Sequence, residues 1–281
     1  MRKSSKKKTT TRRKASKGVK ITSYKPLRST KSQIKNSIKY SKYYIRHSIG
    51  SNVRKYLSKI LSEVKKGNDS KKKYSKKGVY TPSRRKIHNK IINAFLSKDR
   101  STKSPDVYVF GGPTASGKTS ILARFVKEKT VTVNNDDIKT KLTKYDPSHF
   151  KKYPLIHAAY LHEESSDIEK ELVNKVICQK KDVILDRTLG SYIKNKKLLL
   201  KMKKEGYRVT ILGTNLPPHI AIIRASTRFL RRGRYVPLDL MGEKGNKINS
   251  NVFRMSKQKF VRKARVFDTR KHKVKLMYKR G

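Results

Sequence analysis

The run GGPTASGKTS at positions 111–120 contains Gly112, Pro113, Thr114, Ala115, Ser116, Gly117, Lys118 and Thr119 in unbroken succession, followed by Ser120. This fits G-x-x-x-x-G-K-[ST], a loop that wraps phosphates. Its glycines let backbone N–H groups turn inward around a β-phosphate. Its lysine reaches the β- and γ-phosphates, and its hydroxyl ligates Mg²⁺. The chemistry indicated is the binding of ATP with Mg²⁺. The surroundings suit it: the β-rich run DVYVFG ends at the loop, and a helical pattern opens at Lys118.

Phosphate cradles serve hydrolases, motors and kinases alike, so residues further along must decide. Asn134, Asn135, Asp136 and Asp137 follow a second β-rich run, TVTV, where a parallel sheet presents its carboxyl edge to a ligand. A carboxylate there can take the proton of an attacking hydroxyl; either aspartate would equally serve as a helix N-cap. Val183–Leu185 is an apolar run closing on Asp186 in the Walker-B manner, suited to holding Mg²⁺ through water, and Thr188 follows two residues later. In IIRASTRFLRRGRYVP, Arg224 and Arg228 fall four apart on one side of an expected helix, and Arg231, Arg232 and Arg234 surround Gly233. Together they read as a lid that neutralises charge on a transferred phosphoryl group. Any one of them alone is equally well a solvated surface charge.

These residues need a scaffold, and the chain supplies one from Asp106 onward. DVYVFG, TVTV, DVILD and YRVTILG alternate with helical segments. Strands separated by helices point to an α/β fold, a P-loop NTPase or kinase-type parallel sheet with helices on both faces. Toward the C-terminus, NVFRMSKQKFVRKARVFD reads as a basic helix and KVKLMY as a last strand.

The first eighty residues differ in composition. No acid occurs before Glu63, and residues 1–30 combine lysine and arginine with Ser and Thr, too apolar-poor to offset the chain entropy lost on folding. They are expected to form a disordered basic tail. Residues 31–80 read as a basic helical extension: Ile34, Ile38, Ile45 and Ile49 suggest one helix. Val53, Tyr56, Leu57, Ile60, Leu61 and Val64 mark another, with Ser51 placed to cap it and Gly67 to end it. Asn68–Gly78 reads as a charged linker, and Pro82–Lys98 as a third helix with Ile87, Ile91, Ile92 and Phe95 on one side. Residues 81–281 are expected to form the catalytic domain, and deletion of residues 1–80 is expected to leave it largely intact.

With 74 Lys+Arg against 19 Asp+Glu, the 281-residue chain carries a formal charge of +55. Its isoelectric point is near 10.6 and its mean hydropathy is −0.80. Such a surface attracts polyanions, and nucleic acid is the leading candidate. Tyr40, Tyr43, Tyr44 and Tyr56 interleave with basic residues and can either stack on single-stranded bases or pack at helical spacing. No apolar run reaches the roughly 18 to 20 residues of a spanning helix, and the N-terminus lacks the apolar stretch of a secretory signal. The single cysteine, Cys178, is expected to be a small buried hydrophobe on a helix, and its solitude suits cytosol or nucleus. A virion is a third setting, for a nucleic-acid packaging protein on a kinase fold.

The order VYVFGGPTASGKTS, VNNDDIK, LHEESSDI, VILDRT and GYRVTILGTNLPPHIAIIRASTRFLRRGRYVP resembles that of the zeta-toxin family of P-loop kinases, over roughly residues 80 to 270. The resemblance implies transfer of the ATP γ-phosphate to a hydroxyl of a nucleotide-sugar such as UDP-N-acetylglucosamine. It implies Lys118 and Thr119 for ATP and Mg²⁺, Asp136 as general base, Asp186 and Thr188 beside metal and acceptor, and Arg228 and Arg234 as a γ-phosphate clamp. The Glu163–Glu164 region, with Asp137 nearby, would line the acceptor pocket, and an antitoxin-like partner is open. Two features depart from the family pattern: Arg187 stands where a smaller residue is usual and suggests an altered pocket or a second anion site, and the basic extension is additional. A polynucleotide 5′-hydroxyl as acceptor is the alternative that the basic surface favours.

Overall fold

The structure is a computed structural model and describes residues 25–96, 101–122, 130–147, 150–271 and 274–281. The expected tail therefore lies outside the described residues as far as residue 24. From residue 25 the chain is already built into the body. The Leu27 N–H donates to Asn215 Oδ1 at 2.8 Å and its carbonyl accepts from Asn249 Nδ2 at 2.7 Å. Ser29 and Asn246 exchange two further bonds of 2.9 Å.

Thr30 and Gln33 form a reciprocal capping box that starts α1 (Lys31–Ser48). Helix α2 (Ser51–Lys65) starts differently from expectation: Gly50 holds the N-cap position and Ser51 is the first helical residue, while Gly67 follows its end as expected. The expected linker is ordered. Asp69 caps the short α3 (Ser70–Tyr74), and β1 (Ser75–Lys76) pairs antiparallel with β2 (Val79–Tyr80). Lysine-rich composition conceals this because docking, not local propensity, holds it. The Ser70 N–H and hydroxyl both donate to the Tyr160 carbonyl at 3.1 Å, and Tyr80 Oη donates to Asp167 at 2.9 Å. Helix α4 (Pro82–Leu96) buries Ile91 and Ile92, as their spacing predicts.

The remaining elements in chain order are β3 (Asp106–Gly111), α5 (Lys118–Leu122), β4 (Val131–Asn134), α6 (Asn135–Leu142), α7 (His162–Cys178), β5 (Val183–Arg187), α8 (Tyr192–Lys204), β6 (Arg208–Asn215), α9 (Pro218–Arg232), α10 (Leu238–Ser256), β7 (Lys263–Asp268) and β8 (Lys275–Arg280). Among the described residues, the last six of the eight strands form one sheet in the order β4-β5-β3-β6-β7-β8. All neighbours are parallel except β7 and β8. The expected single helix over residues 251–268 is thus two elements. Helix α10 ends at Ser256, and in β7 Ala264, Val266 and Asp268 are buried in alternation. Interleaved Lys263 and Arg265 hid that period of two.

One core packs the helices against the sheet through Val107, Val109, Val183, Leu185, Val209 and Ile211. A second joins Ile45, Ile49 and Leu57 of the amino-terminal region to Ile222 and Phe229 of α9 and to Tyr235. The boundary near residue 80 drawn from composition is therefore not a boundary in packing: α1 and α2 share a core with the helix that carries the candidate arginine lid. Cys178 is exposed at the end of α7, not buried as expected, because it falls on the solvent side of the last turn. No helix among the described residues is long and apolar enough to cross a membrane.

Candidate active site

Strand β3 sits inside the sheet between β5 and β6, so the loop that leaves its carboxyl end opens over the point where the chain winds to either side, the usual ligand crevice of such sheets. The loop is drawn hard against β6. Gly112 has φ +148°, and a Cβ there would lie 1.9 Å from Thr214 Oγ1 and 2.8 Å from the Thr214 carbonyl oxygen. Only glycine fits. Ser116 Oγ lies 2.5 Å from the same buried Thr214 hydroxyl, fastening the far side of the loop. Lys118 opens α5, and its Nζ donates to the carbonyls of Gly112 at 3.1 Å and Pro113 at 2.9 Å. Burial pushes its pKa below the usual value, with Asp186 and Asp136 opposing. Thr119 and Ser120 are exposed beside it.

The carboxylates come together through strand register. Asn134 at the end of β4 is paired with Asp186 at the end of β5. The Asn134 side chain does two jobs. Its Oδ1 accepts from the Asp136 N–H at 2.8 Å, making Asn134 the N-cap of α6, and its Nδ2 donates to Asp186 Oδ2 at 3.0 Å. Neither Asp136 nor Asp137 is the cap, which leaves both carboxylates for other work. Asp136 forms an ion pair with Arg234, and Asp137 is exposed. Burial raises the pKa of Asp186; Lys118 opposes this and Asp136 adds to it.

Of the five candidate arginines the structure brings two to this edge. Arg234 is placed by its neighbour: Gly233 ends α9 with φ +70°, and a Cβ there would lie 2.5 Å from Tyr153 Cα and 2.6 Å from the Lys152 carbonyl oxygen. The turn is held by the Leu155 N–H bond to the Gly233 carbonyl at 3.3 Å. Arg228 faces the same region. Its Nε and Nη2 are buried with no hydrogen-bond partner among the described residues, and burial, reinforced by Arg234, pushes its pKa down to about 10. A buried guanidinium with unmet donors is suited to an anion such as a phosphoryl oxygen. Arg224, expected on the same side, instead donates to the Thr269 and Arg270 carbonyls at 2.8 and 2.7 Å, tying down the end of β7. Arg231 and Arg232 are exposed.

The two glutamates separate sharply. Glu163 is exposed in the first turn of α7. Glu164 is fully buried and taken up by α4: Arg84 donates to it at 2.5 and 2.9 Å, and His88 Nε2 lies 2.7 Å away. Burial alone would raise its pKa, but the His88 and Arg84 bonds hold it down at about 2. Glu164 fastens α4 to α7 and does not line an acceptor pocket. Arg187 is also engaged, bound to Glu169 at 2.8 Å and to Asn195 Oδ1 at 3.2 Å, while its Nε is buried without a hydrogen-bond partner among the described residues. Thr188 is exposed, on a loop held by Asn251 Nδ2 bonds to the Leu189 and Gly190 carbonyls at 2.9 and 3.0 Å.

Sequence reasoning missed Thr214, Asn134 as cap and tether, and Lys139. Lys139 lies one helical turn after Asp136, is only 8% exposed, and has its Nζ 3.4 Å from His162 Nδ1. Burial chiefly lowers its pKa to about 8, Arg234 adding to the effect and Asp136 opposing it. In a sequence so rich in lysine nothing marks this one.

A P-loop at the inner strand of a parallel sheet, two carboxylates at the neighbouring strand ends, and arginines from a following helix define the class: a P-loop nucleotide-binding protein of kinase type. The match of the Zeta toxin family model over residues 92–280 gives the particular family, and the chain belongs to it. That family is one of P-loop kinases. Among solved structures, the chain is similar to one from the PezAT chromosomal toxin–antitoxin system of Streptococcus pneumoniae. The TM-score is 0.55 at 16% identity, covering 72% of this chain and 83% of that one. It is also similar to the AvrRxo1-ORF1:AvrRxo1-ORF2 complex with sulphate ions (TM-score 0.57, 18% identity, covering 70% of this chain and 67% of that one). The AvrRxo1-ORF1:-ORF2 structure with ATP gives a TM-score of 0.55 at 19% identity, covering 71% and 68% of the two chains. At these identities the likeness is one of fold. No curated protein matches the sequence.

Proposed function

We propose that the protein is an ATP-dependent phosphotransferase that moves the γ-phosphoryl group to an alcohol, with a nucleotide-sugar hydroxyl as the acceptor. The observation that carries this reading is the pairing of Asp136 with Arg234 next to Lys118 and Asp186: an acid able to take a proton, a guanidinium able to meet a phosphoryl group, and the phosphate-binding lysine share one electrostatic site. In the reaction the acceptor oxygen forms a bond to the γ-phosphorus as the bond to the β,γ-bridging oxygen breaks. ADP leaves, and the hydroxyl proton passes to Asp136. Arg234, exchanging its Asp136 partner for the transferring group, and Arg228, with its unmet donors, neutralise the charge.

Mg²⁺ needs only one or two carboxylates beside phosphate oxygens and water, so the Thr119 hydroxyl and Asp186 are a sufficient donor set. When bound, it neutralises charge on the β- and γ-phosphates. Exposed Glu163, Asp137 and Thr188 are the residues nearest at hand for a polar acceptor. The charge surplus of +55 supports a second element of the reading, a nucleic-acid-binding surface in the amino-terminal region.

The test is incubation of the purified chain with γ-labelled ATP, Mg²⁺ and a panel of nucleotide-sugars. Label on a nucleotide-sugar, lost in Lys118→Ala and Asp136→Asn, is the expected result. Label confined to 5′-hydroxyl oligonucleotides would replace the acceptor with a polynucleotide, and no labelled acceptor of any kind would overturn the enzyme reading.

A further inference from the structure

Helix α1 has three faces, and one of them packs into the core. Ile34, Ser37, Ser41 and Ile45 turn inward, the last three buried. A second stripe, Tyr40, Tyr43, Tyr44 and His47, has the i, i+3, i+4, i+7 spacing of a single helix face. Its tyrosines are 56%, 63% and 41% exposed. The Tyr40 and Tyr44 rings are nearly parallel, with centroids 6.1 Å apart and planes inclined by 8°, and Tyr43 lies 4.0 Å from the His47 ring. The third stripe is Lys35, Lys39, Lys42 and Arg46, all exposed and spaced i, i+4, i+7, i+11. No acid occurs in α1, and among the described residues the one ion pair of this stripe joins Lys42 to Asp239.

Surface tyrosines on a helix usually lie over apolar neighbours. Tyr56 does so, edge-on to Phe150 at 5.3 Å. Tyr40, Tyr43 and Tyr44 instead present their rings to water along a rod of cations roughly 27 Å long for 18 residues. Parallel rows of rings and cations match a ligand with a row of π-faces beside a row of phosphates. In a duplex the base faces are already stacked on each other, and a polyanion without bases would engage the cations alone.

We propose that the tyrosine and lysine stripes of α1 bind single-stranded nucleic acid, rings stacking on unpaired bases and cations meeting the phosphates. The proposal rests on reading the charge surplus as a nucleic-acid surface and is independent of the phosphotransfer site. Tyr40, Tyr43 and Tyr44 form no hydrogen bond or ring contact with Lys118, Asp136, Asp186, Arg228 or Arg234.

The experiment is fluorescence anisotropy of the full chain with labelled oligothymidylate, oligouridylate and a duplex, with inorganic polyphosphate as a base-free competitor. Replacing Tyr40, Tyr43 and Tyr44 together by Ala is expected to weaken single-strand binding at least about tenfold, since each stacked base contributes substantially to such complexes. Affinity for polyphosphate, duplex binding and phosphotransfer should stay unchanged. Phenylalanine at the same three positions should retain single-strand affinity, which separates stacking from loss of helix. Replacing Lys35, Lys39 and Arg46 by Ala should reduce the slope of log K against log salt by about 2, at roughly 0.7 per phosphate contact on a single strand. The two oligonucleotides report whether DNA or RNA is preferred. Wild-type single-strand affinity in the alanine triple variant would overturn the proposal, as would equal losses for single strands and polyphosphate. Failure here would leave labelled-ATP turnover untouched, so the two readings fail separately.

Discussion

Replacement of Glu164 by Gln separates a structural acid from an acceptor-binding one. Glu164 has no exposed surface, and Arg84, itself 3% exposed, makes two bonds to it. Glutamine keeps the shape but removes the charge, leaving a buried guanidinium with Asp146, 3.4 Å away, as its remaining acid. Breaking a buried pair on one side costs roughly 3–5 kcal/mol. At about 2–4 °C per kcal/mol for a body of this size, the midpoint should fall by about 6 to 20 °C. The pH dependence gives a second handle. Glu164 titrates near 2 when folded against 4.5 ordinarily, so its contribution is complete above pH 4.5 and is lost as pH falls from 4.5 toward 2. That shift corresponds to something on the order of 3 kcal/mol. Thermal unfolding followed by circular dichroism between pH 2.5 and 7 measures both quantities, and phosphotransfer well below the midpoint should be unaltered per folded molecule. A midpoint shift of under about 2 °C, less than 1 kcal/mol on the same scale, or a raised acceptor KM at full folding, would refute the structural role.

Gly112→Ala should raise the Kd for ATP at least tenfold by calorimetry, because backbone strain of about 1–3 kcal/mol joins a clash with the Thr214 backbone that no rotamer relieves. Arg228→Met should raise the thermal midpoint while lowering kcat about a hundredfold or more, since it removes a buried cation with unmet donors and with it a charge facing the phosphoryl group. Deleting residues 1–66 should lower the urea midpoint sharply or abolish soluble expression. It strips Ile45, Ile49 and Leu57 from Ile222 and Phe229, and at about 1.5–3 kcal/mol per side chain that approaches the whole margin of a typical domain. A truncated chain with an unchanged midpoint would reinstate the separable extension that composition suggested.

The phosphate loop was legible because its chemistry and its geometry are local: glycines, lysine and hydroxyl must follow one another to wrap one phosphate, so spacing alone announces them. The strands before the loop and at Val183–Leu185 were legible for the same reason, as short apolar runs between turns. Where charge density masked a period, as in β7, or where order comes from docking, as in the hairpin after Asp69, local pattern fell short. The roles of individual charged residues lay further out of reach. Glu163 and Glu164 are neighbours in sequence yet face solvent and core, since helical rotation points them about 100° apart. Arg224 and Arg228 share a helix, yet Arg224 is tied to two backbone carbonyls while Arg228 keeps buried donors unmet among the described residues. Whether a charge acts on a ligand or serves the fold depends on which opposite charge lies within a few ångströms. Only the packing of distant segments decides that.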